Sequence, residues 1–505
     1  MRMRFQLAAV FAWTGFALTA ALGWGASTDL RLVQAAKGQD EASARALLKQ
    51  RADVNAQQGD GATALHWAAH HDNATLADLL LRAGARVDAA NDLGATPLHL
   101  ACHNGSAAMV DRLLAARANA NAKFLNGETV LMTCARAGNA AAVKALLTHG
   151  ADAKVSEPEH SQTALMWAIA QNHPETAALL VEFGAEIKAR SRSYSQTVVG
   201  EQTQRAGREE LNYNVMRGGS TPLLFAARSG DTESAKLLLS KGADPNDALP
   251  DGTSALTLAT HSGHRDVALA LLDKGANPND LGIGYTALHA AILRSDLALV
   301  KALLAHGANP NLRMTKATPV RRNTTDFILP APLMGSTPYL LAAKFVEPEI
   351  MQTLLAGGAD AKLTMPNGAT AVMLAAGMDT RNNEDRRGIN VIDYGKPEPD
   401  SKVLPAVEIA FKAAGDANGV NGAGDTALHA AVTHRYESVV EFLASHGAGL
   451  NARNQAGLTP LGLLTRRRGN ERQPVSAATA YASTAAEDPA TGRIAEILRK
   501  HGAAD

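Results

Sequence analysis

Aromatic residues are scarce: Phe, Trp and Tyr make up 4% of 505 residues, too few for one large aromatic core. Long Ala/Leu-rich tracts favour close helix packing around many small cores instead. Net charge is absent too, with 49 basic and 49 acidic side chains, which argues against a general nucleic-acid binder. Cysteine is nearly missing. Cys102 and Cys134 cannot build a disulfide framework and neither sits in a CxxC or CxxCH spacing. Both are read as small buried hydrophobes, and haem or zinc-ribbon chemistry has no support. Nucleophile-elbow, phosphate-loop and zinc-protease motifs are also lacking. What is present, 46% hydrophobic content, is a folded-protein composition.

The first residues, MRMRFQLAAVFAWTGFALTAALGWGAS, place Arg2 and Arg4 before an uncharged apolar run that ends among small residues. That is the layout of a secretory signal peptide over residues 1–26, with an uncleaved anchor through residues 5–22 as the alternative. The rest is expected to be exported, periplasmic or extracellular.

One short pattern then recurs: TALHWAA, TPLHLAC, TVLMTCA, TALMWAI, TPLLFAA, SALTLAT, TALHAAI, TPYLLAA, TAVMLAA, TALHAAV and TPLGLLT. The steps between copies are 33, 33, 34, 58, 33, 32, 51, 33, 56 and 33 residues, so each long step is one period plus an insertion. A degenerate copy, LRLVQAAKG, precedes them and brings the total to twelve. In each copy Thr or Ser suits a helix N-cap and Pro the first turn, as in Thr96-Pro97. Apolar residues at i, i+3 and i+4 follow on a second helix, such as Val110, Leu113 and Leu114. Glycine then ends that helix, except where Arg51 and Arg117 stand, and an Asn/Asp-rich turn follows.

Period and signature together resemble the ankyrin repeat family. The resemblance covers most of the chain and implies an all-α solenoid of about twelve helix-turn-helix repeats with long loop insertions. Repeats 1–5 span 28–190 and a basic loop insertion 191–219. Repeats 6–8 span 220–312 and a second insertion 313–335. Repeats 9–12 span 336–505, with insertions near 379–403 and 468–492. The 379–403 stretch is too polar to pack as a helix, and 468–492 reads as flexible. The first two insertions fall where the family carries finger-like turns; Arg190, Arg192, Arg205, Arg208 and Arg217 make one basic, and Arg313, Lys316, Arg321 and Arg322 the other. Arg205, Arg208, Arg321 and Arg322 are the candidate partner contacts there.

Four histidines, His66, His99, His289 and His429, occupy the motif position. The resemblance implies that they brace the capping Thr. His149, His306, His446 and His501 sit beside the terminating glycine, where they suit a helix C-terminus. His70, His71 and His103 remain, but no HExxH glutamate accompanies them and no metal site or cofactor is expected. The Asp/Asn cluster in GDANGVNGAGD lacks calcium-loop spacing and is read as a turn.

By the family resemblance, the two residues ending each first helix line a concave face that grips partners. Those twenty-four slots hold seven Lys or Arg, five His and no Asp or Glu. The candidate contacts are Lys37, His70, His71, His103, Arg136, Arg228, His261, Arg294, Lys344, Phe345, His434, Arg466 and Arg467. Two explanations stay open: the helix macrodipole, which favours cations at helix C-termini, and a groove selected to face an acidic partner that grows more basic as the histidines protonate near pH 6. The function expected is non-catalytic: a protein-binding envelope scaffold that uses the concave face and finger loops, monomeric, without nucleic acid. Membrane contact is expected only through residues 5–22 if they are retained. The alternatives are a metal-dependent or enzymatic factor seated in the insertions and a purely structural envelope scaffold.

Overall fold

The structure, a computed structural model, describes residues 29–201, 210–318, 327, 329, 331–378, 399–465 and 489–504. The leader, Arg205, Arg208, Arg321, Arg322, Arg466 and Arg467, and most of the stretches near 379–403 and 468–492 lie outside these residues.

Among the described residues twelve helix pairs follow one another, from Arg31–Lys37 with Glu41–Lys49 to Pro460–Thr465 with Pro489–Lys500. Each first helix packs on its own partner and on the first helix of the next pair, and each second helix on the next second helix. The result is two layers, an inner and an outer, in the solenoid that the sequence repeat implies. The core is a continuous seam: Leu65, Leu98, Leu131, Leu165, Leu223, Leu256 and Leu288, one per repeat, are at most 1% exposed. Paired alanines beside them, such as Ala68-Ala69 and Ala226-Ala227, are wholly buried and let adjacent helices approach.

Local chemistry sets each boundary. Thr or Ser caps the inner helices, accepting from the N3 amide at Thr129, Thr163, Thr221, Ser254, Thr337, Thr370 and Thr426. Asp40, Asn73, Ser106, Asn139, Asp231 and Asp296 do the same for outer helices. Each such cap contributes about 0.5–2 kcal/mol. Outer helices end on a left-handed residue, usually glycine; Arg51 and Arg117 adopt that conformation with φ of 60° and 66°, so these two repeats carry steric strain that glycine avoids.

A turn asparagine next bridges six of the joints. Asn121 Nδ2 donates to the Gly150 carbonyl at 2.8 Å while its Oδ1 accepts from the Asp152 amide at 2.9 Å. Asn55, Asn246, Asn279, Asn311 and Asn418 repeat this bridge. At Asp88 only the acceptor half survives, toward the Asn119 amide, because an ionised carboxylate has no donor.

Three sequence expectations need correction. Cys102 and Cys134 are buried, but they are not free hydrophobes: they form a disulfide between inner helices Pro97–His103 and Val130–Ala137, with Cα atoms 4.5 Å apart. Their separation of 32 residues is one repeat step, and stacking brings such positions together although no short motif joins them. The first insertion, expected to be a loop, instead contains an antiparallel β-ribbon of β1 (Tyr194–Glu201) and β2 (Glu210–Arg217), with Tyr194 opposite Arg217. Neither strand packs broadly on a helix. Near the third insertion, the outer helix Asp400–Ala414 begins inside the stretch read as too polar for a helix.

Candidate functional site: the stripe along the inner helices

The motif histidines define the floor of the inner face. His66 Nδ1 accepts from the Thr63 amide at 3.1 Å and lies 2.9 Å from Thr63 Oγ, while Nε2 lies 3.0 Å from the Ala95 carbonyl of the next repeat. His289 and His429 make the same pair of contacts, reaching Ser336 and Leu458. His99 braces Thr96 likewise, but its Nε2 is buried without a hydrogen-bond partner, and its ring centroid is 4.1 Å from that of Phe124. Burial lowers His66 below the usual histidine value and brings His99 and His289 down to about 4. These imidazoles are neutral braces. Where Met132 and Met373 replace histidine, sulfur accepts from the capping Thr amide at 3.4 and 3.5 Å.

Above this floor lie the stripe residues, and the structure puts those described at the same end of successive inner helices. Lys37, His70, His103 and Arg228 are exposed; His71, Arg136, His261, Arg294, Lys344, Phe345 and His434 are half-buried. Several are already engaged. The Lys37 ammonium lies 4.9 Å from the Trp67 ring centre, Arg136 lies 4.6 Å above Trp167, and Arg294 lies 4.4 Å above Phe327. Arg136 also sits 3.3 Å from Glu128. Lys344 donates to the Met378 carbonyl at 2.7 Å. His261 lies 3.4 Å from the Tyr285 hydroxyl, and His434 stacks on Tyr436.

A second pattern escaped the sequence reading. The last inner-helix carbonyls, unpaired within the helix, are taken by side chains from the following repeat. His71 reaches the Lys37 carbonyl at 3.1 Å, Asn104 that of His70 at 2.7 Å, His173 that of Arg136 at 3.2 Å, His264 that of Arg228 at 3.0 Å, and Arg294 that of His261 at 2.7 Å. His173 and His264, which had no role in the sequence reading, belong to this ladder. Their signal was a polar residue 33 to 37 positions after a stripe residue, visible only once the helices are stacked.

Electrostatics along the stripe are graded. Burial, then the charges of His71 and His103, hold His70 below the usual histidine range. Burial lowers His434, the bond to the Gly377 backbone opposes this, and Lys344 adds to it. His70 and His71 have ring centroids 5.0 Å apart, yet among the described residues no group of three His, Cys, Asp or Glu could hold a metal.

The insertions contribute differently. Arg190 is already engaged: it donates to the Gly219 and Ala248 carbonyls and pairs with Asp247, clamping the ribbon base to the next finger. Arg313 plays the same part in the second insertion, donating to Gly335 and Thr364. Arg217 bonds to Gln196 across the ribbon. Neighbouring fingers are joined by single backbone bonds, as from the Leu125 amide to the Leu93 carbonyl, and leave Leu93 68% and Leu125 80% exposed.

This construction places the chain among helical repeat solenoids, proteins whose inner surface is rigid while its side chains vary. The family model described as Ankyrin repeats (3 copies) matches residues 32–124, 104–191 and 223–314, and that described as Ankyrin repeat matches 423–455. Together they cover more than half of the sequence, and the chain belongs to the ankyrin repeat family. Ankyrin repeats are generally protein–protein interaction modules, and proteins built from them are typically non-enzymatic binding scaffolds. Comparison with curated proteins gives no match.

Proposed function

We propose that this protein is a non-catalytic scaffold of the cell envelope that binds a protein with an acidic surface along its inner-helix stripe, assisted by the finger loops. The observation that carries this reading is the sign of the stripe. Lys37, His70, His103 and Arg136 end the first four inner helices and Arg228 the sixth, and no stripe slot is acidic. A positive wall of this kind speeds encounter with an acidic partner and disfavours basic ones. Export is supported by the leader-like first residues and by the Cys102–Cys134 bond, since disulfides persist in oxidising compartments.

The test is capture of the full-length tagged protein from its native envelope fraction, followed by titration of the co-eluting partner. Binding is expected to weaken at least about tenfold between roughly 50 and 300 mM salt. It should strengthen as pH falls below the ordinary histidine value of about 6.5, because the depressed His70 and His434 gain charge only there. A partner indifferent to both variables rules out the acidic-partner reading. Recovery of the protein only from the cytosol with both thiols reduced rules out the envelope location.

A further inference from the structure

The ribbon of the first insertion has open edges. β1 and β2 pair with each other from Tyr194 opposite Arg217 to Glu201 opposite Glu210, and among the described residues no third strand joins them. Neither strand packs broadly on a helix. At the ribbon's base Tyr194 and Met216 are 45% and 42% exposed. Two strands alone are marginal in water, and a third strand or a helix laid against one face is what stabilises them.

Open strand edges are templates for pairing, and folded chains guard them with short strands, proline, bulges or lysine. Those guards are missing here. The strands are 8 residues each and their pairing skips no residue, whereas strands of about five or six residues are commonest. YSQTVVGE and ELNYNVMR contain neither proline nor lysine.

The order of residues in β2 points to the occupant. Residues directly opposite across an antiparallel pair share a face. A two-fold axis normal to the sheet therefore passes beside one position and pairs those equally far on either side of it. With the axis at position 213, Tyr213 stands opposite Tyr213 of a second copy, Asn212 opposite Asn214, and Leu211 opposite Val215. Aromatic meets aromatic, amide meets amide and aliphatic meets aliphatic, which are favourable cross-strand pairs; only Glu210 and Met216 are unlike. An axis at Asn212 also matches like with like, but overlaps 210–214 alone instead of 210–216. In β1 an axis at Val198 sets Thr197 against Val199 and Ser195 against Glu201, and one at Thr197 sets Gln196 against Val198 and Ser195 against Val199. Joining β1 of one copy to β2 of the next would leave a free edge at each end and grow without closing, whereas the two-fold closes.

We propose that the outer edge of β2 pairs antiparallel with the same edge of a second copy of this chain, about a two-fold axis at Tyr213. The dimer then shares a four-stranded sheet in the order β1-β2-β2-β1. This goes beyond the scaffold reading above, does not depend on the acidic partner, and replaces the monomer expected from the sequence.

Sedimentation of the full oxidised chain from about 1 to 100 µM should show the mass rising toward twice the monomer value. Replacing residues 195–216 with a short turn should abolish the rise, and Tyr213→Lys, which sets two cations face to face on the axis, should weaken dimerisation at least about tenfold. Circular dichroism verifies that each variant is folded. Cys102 and Cys134 are bonded to each other and the chain has no further cysteine, so an introduced thiol reports alone. Tyr213→Cys should crosslink two chains under mild oxidation. Val198→Cys, its partner position on β1, should not, because the two β1 strands lie three strand spacings, about 14 Å, apart. A chain that stays monomeric at about 100 µM overturns the inference. Equal crosslinking at 198 and 213 means that two ribbons stack face to face and overturns the edge pairing. A dimer that survives loss of the ribbon overturns the location. The salt response of a captured partner judges the acidic-partner reading separately.

Discussion

A single residue type, histidine, does several jobs in this chain, and its surroundings decide which. His66, His99, His289 and His429 are buried braces. His149, His306 and His446 bond back to the carbonyl four residues earlier, at 2.8, 2.8 and 2.7 Å, and finish outer helices. His70, His71 and His103 sit on the stripe. The buried braces imply a pH response of definite sign. In the unfolded chain an imidazole titrates near 6.5, whereas His99 and His289 in the folded chain titrate near 4. As pH falls through that window the unfolded chain takes up protons that the folded chain refuses, so stability is full above 6.5 and declines toward 4. Each site accounts for at most about 3 kcal/mol. Urea unfolding followed by circular dichroism should show the midpoint falling between about pH 6.5 and 4.5. His289→Ala should lower stability by about 1–3 kcal/mol at neutral pH, through a lost cap brace and inter-repeat bond, and flatten the pH slope. An unchanged slope refutes the assignment.

At the scale of the element, helix boundaries follow from caps and glycines, so most were legible beforehand. The twelve motif stretches read as inner helices, Thr-x-x-x-x-Ala-Ala in their fullest form, are inner helices. The disulfide and the ribbon were not legible, for different reasons. Cys102 and Cys134 meet only because equivalent faces of adjacent helices touch, a contact that neither local window contains. A Cys102→Ala/Cys134→Ala double variant should lose about 2–4 kcal/mol in denaturant titration, and the oxidised protein should show no reactive thiol even when unfolded. The ribbon, by contrast, draws its order from cross-strand pairing between β1 and β2 and from the Arg190 clamp at its base. Because it shares little of the helical core, replacing residues 195–216 with a short turn should shift the thermal midpoint by less than about 2 °C. A large drop would mean that the ribbon supports the stack.

For the whole molecule, the main helix contacts among the described residues join each repeat to its neighbours, and stability is a sum of repeat and interface terms. Leu238, wholly buried on the outer helix Thr232–Ser240, offers a test. Leu238→Ala should cost about 2–5 kcal/mol, and hydrogen exchange should quicken in that repeat and its immediate neighbours but not around Leu65 or Leu428. Uniform acceleration along the chain would show that the array unfolds as one unit. The stripe is also a property of this scale, since no single repeat carries more than two of its residues.

The sequence by itself determined the repeat count, the caps, the buried leucine seam and the sign of the stripe, because each is written within one period of 33 residues. Only the tertiary structure decided that Cys102 bonds Cys134, that His173 and His264 close their neighbours' helix ends, and that Arg190 and Arg313 clamp neighbouring fingers. These interactions cross from one repeat to another. Their geometry is set by how helices stack, a distance and an angle that no local run of side chains encodes.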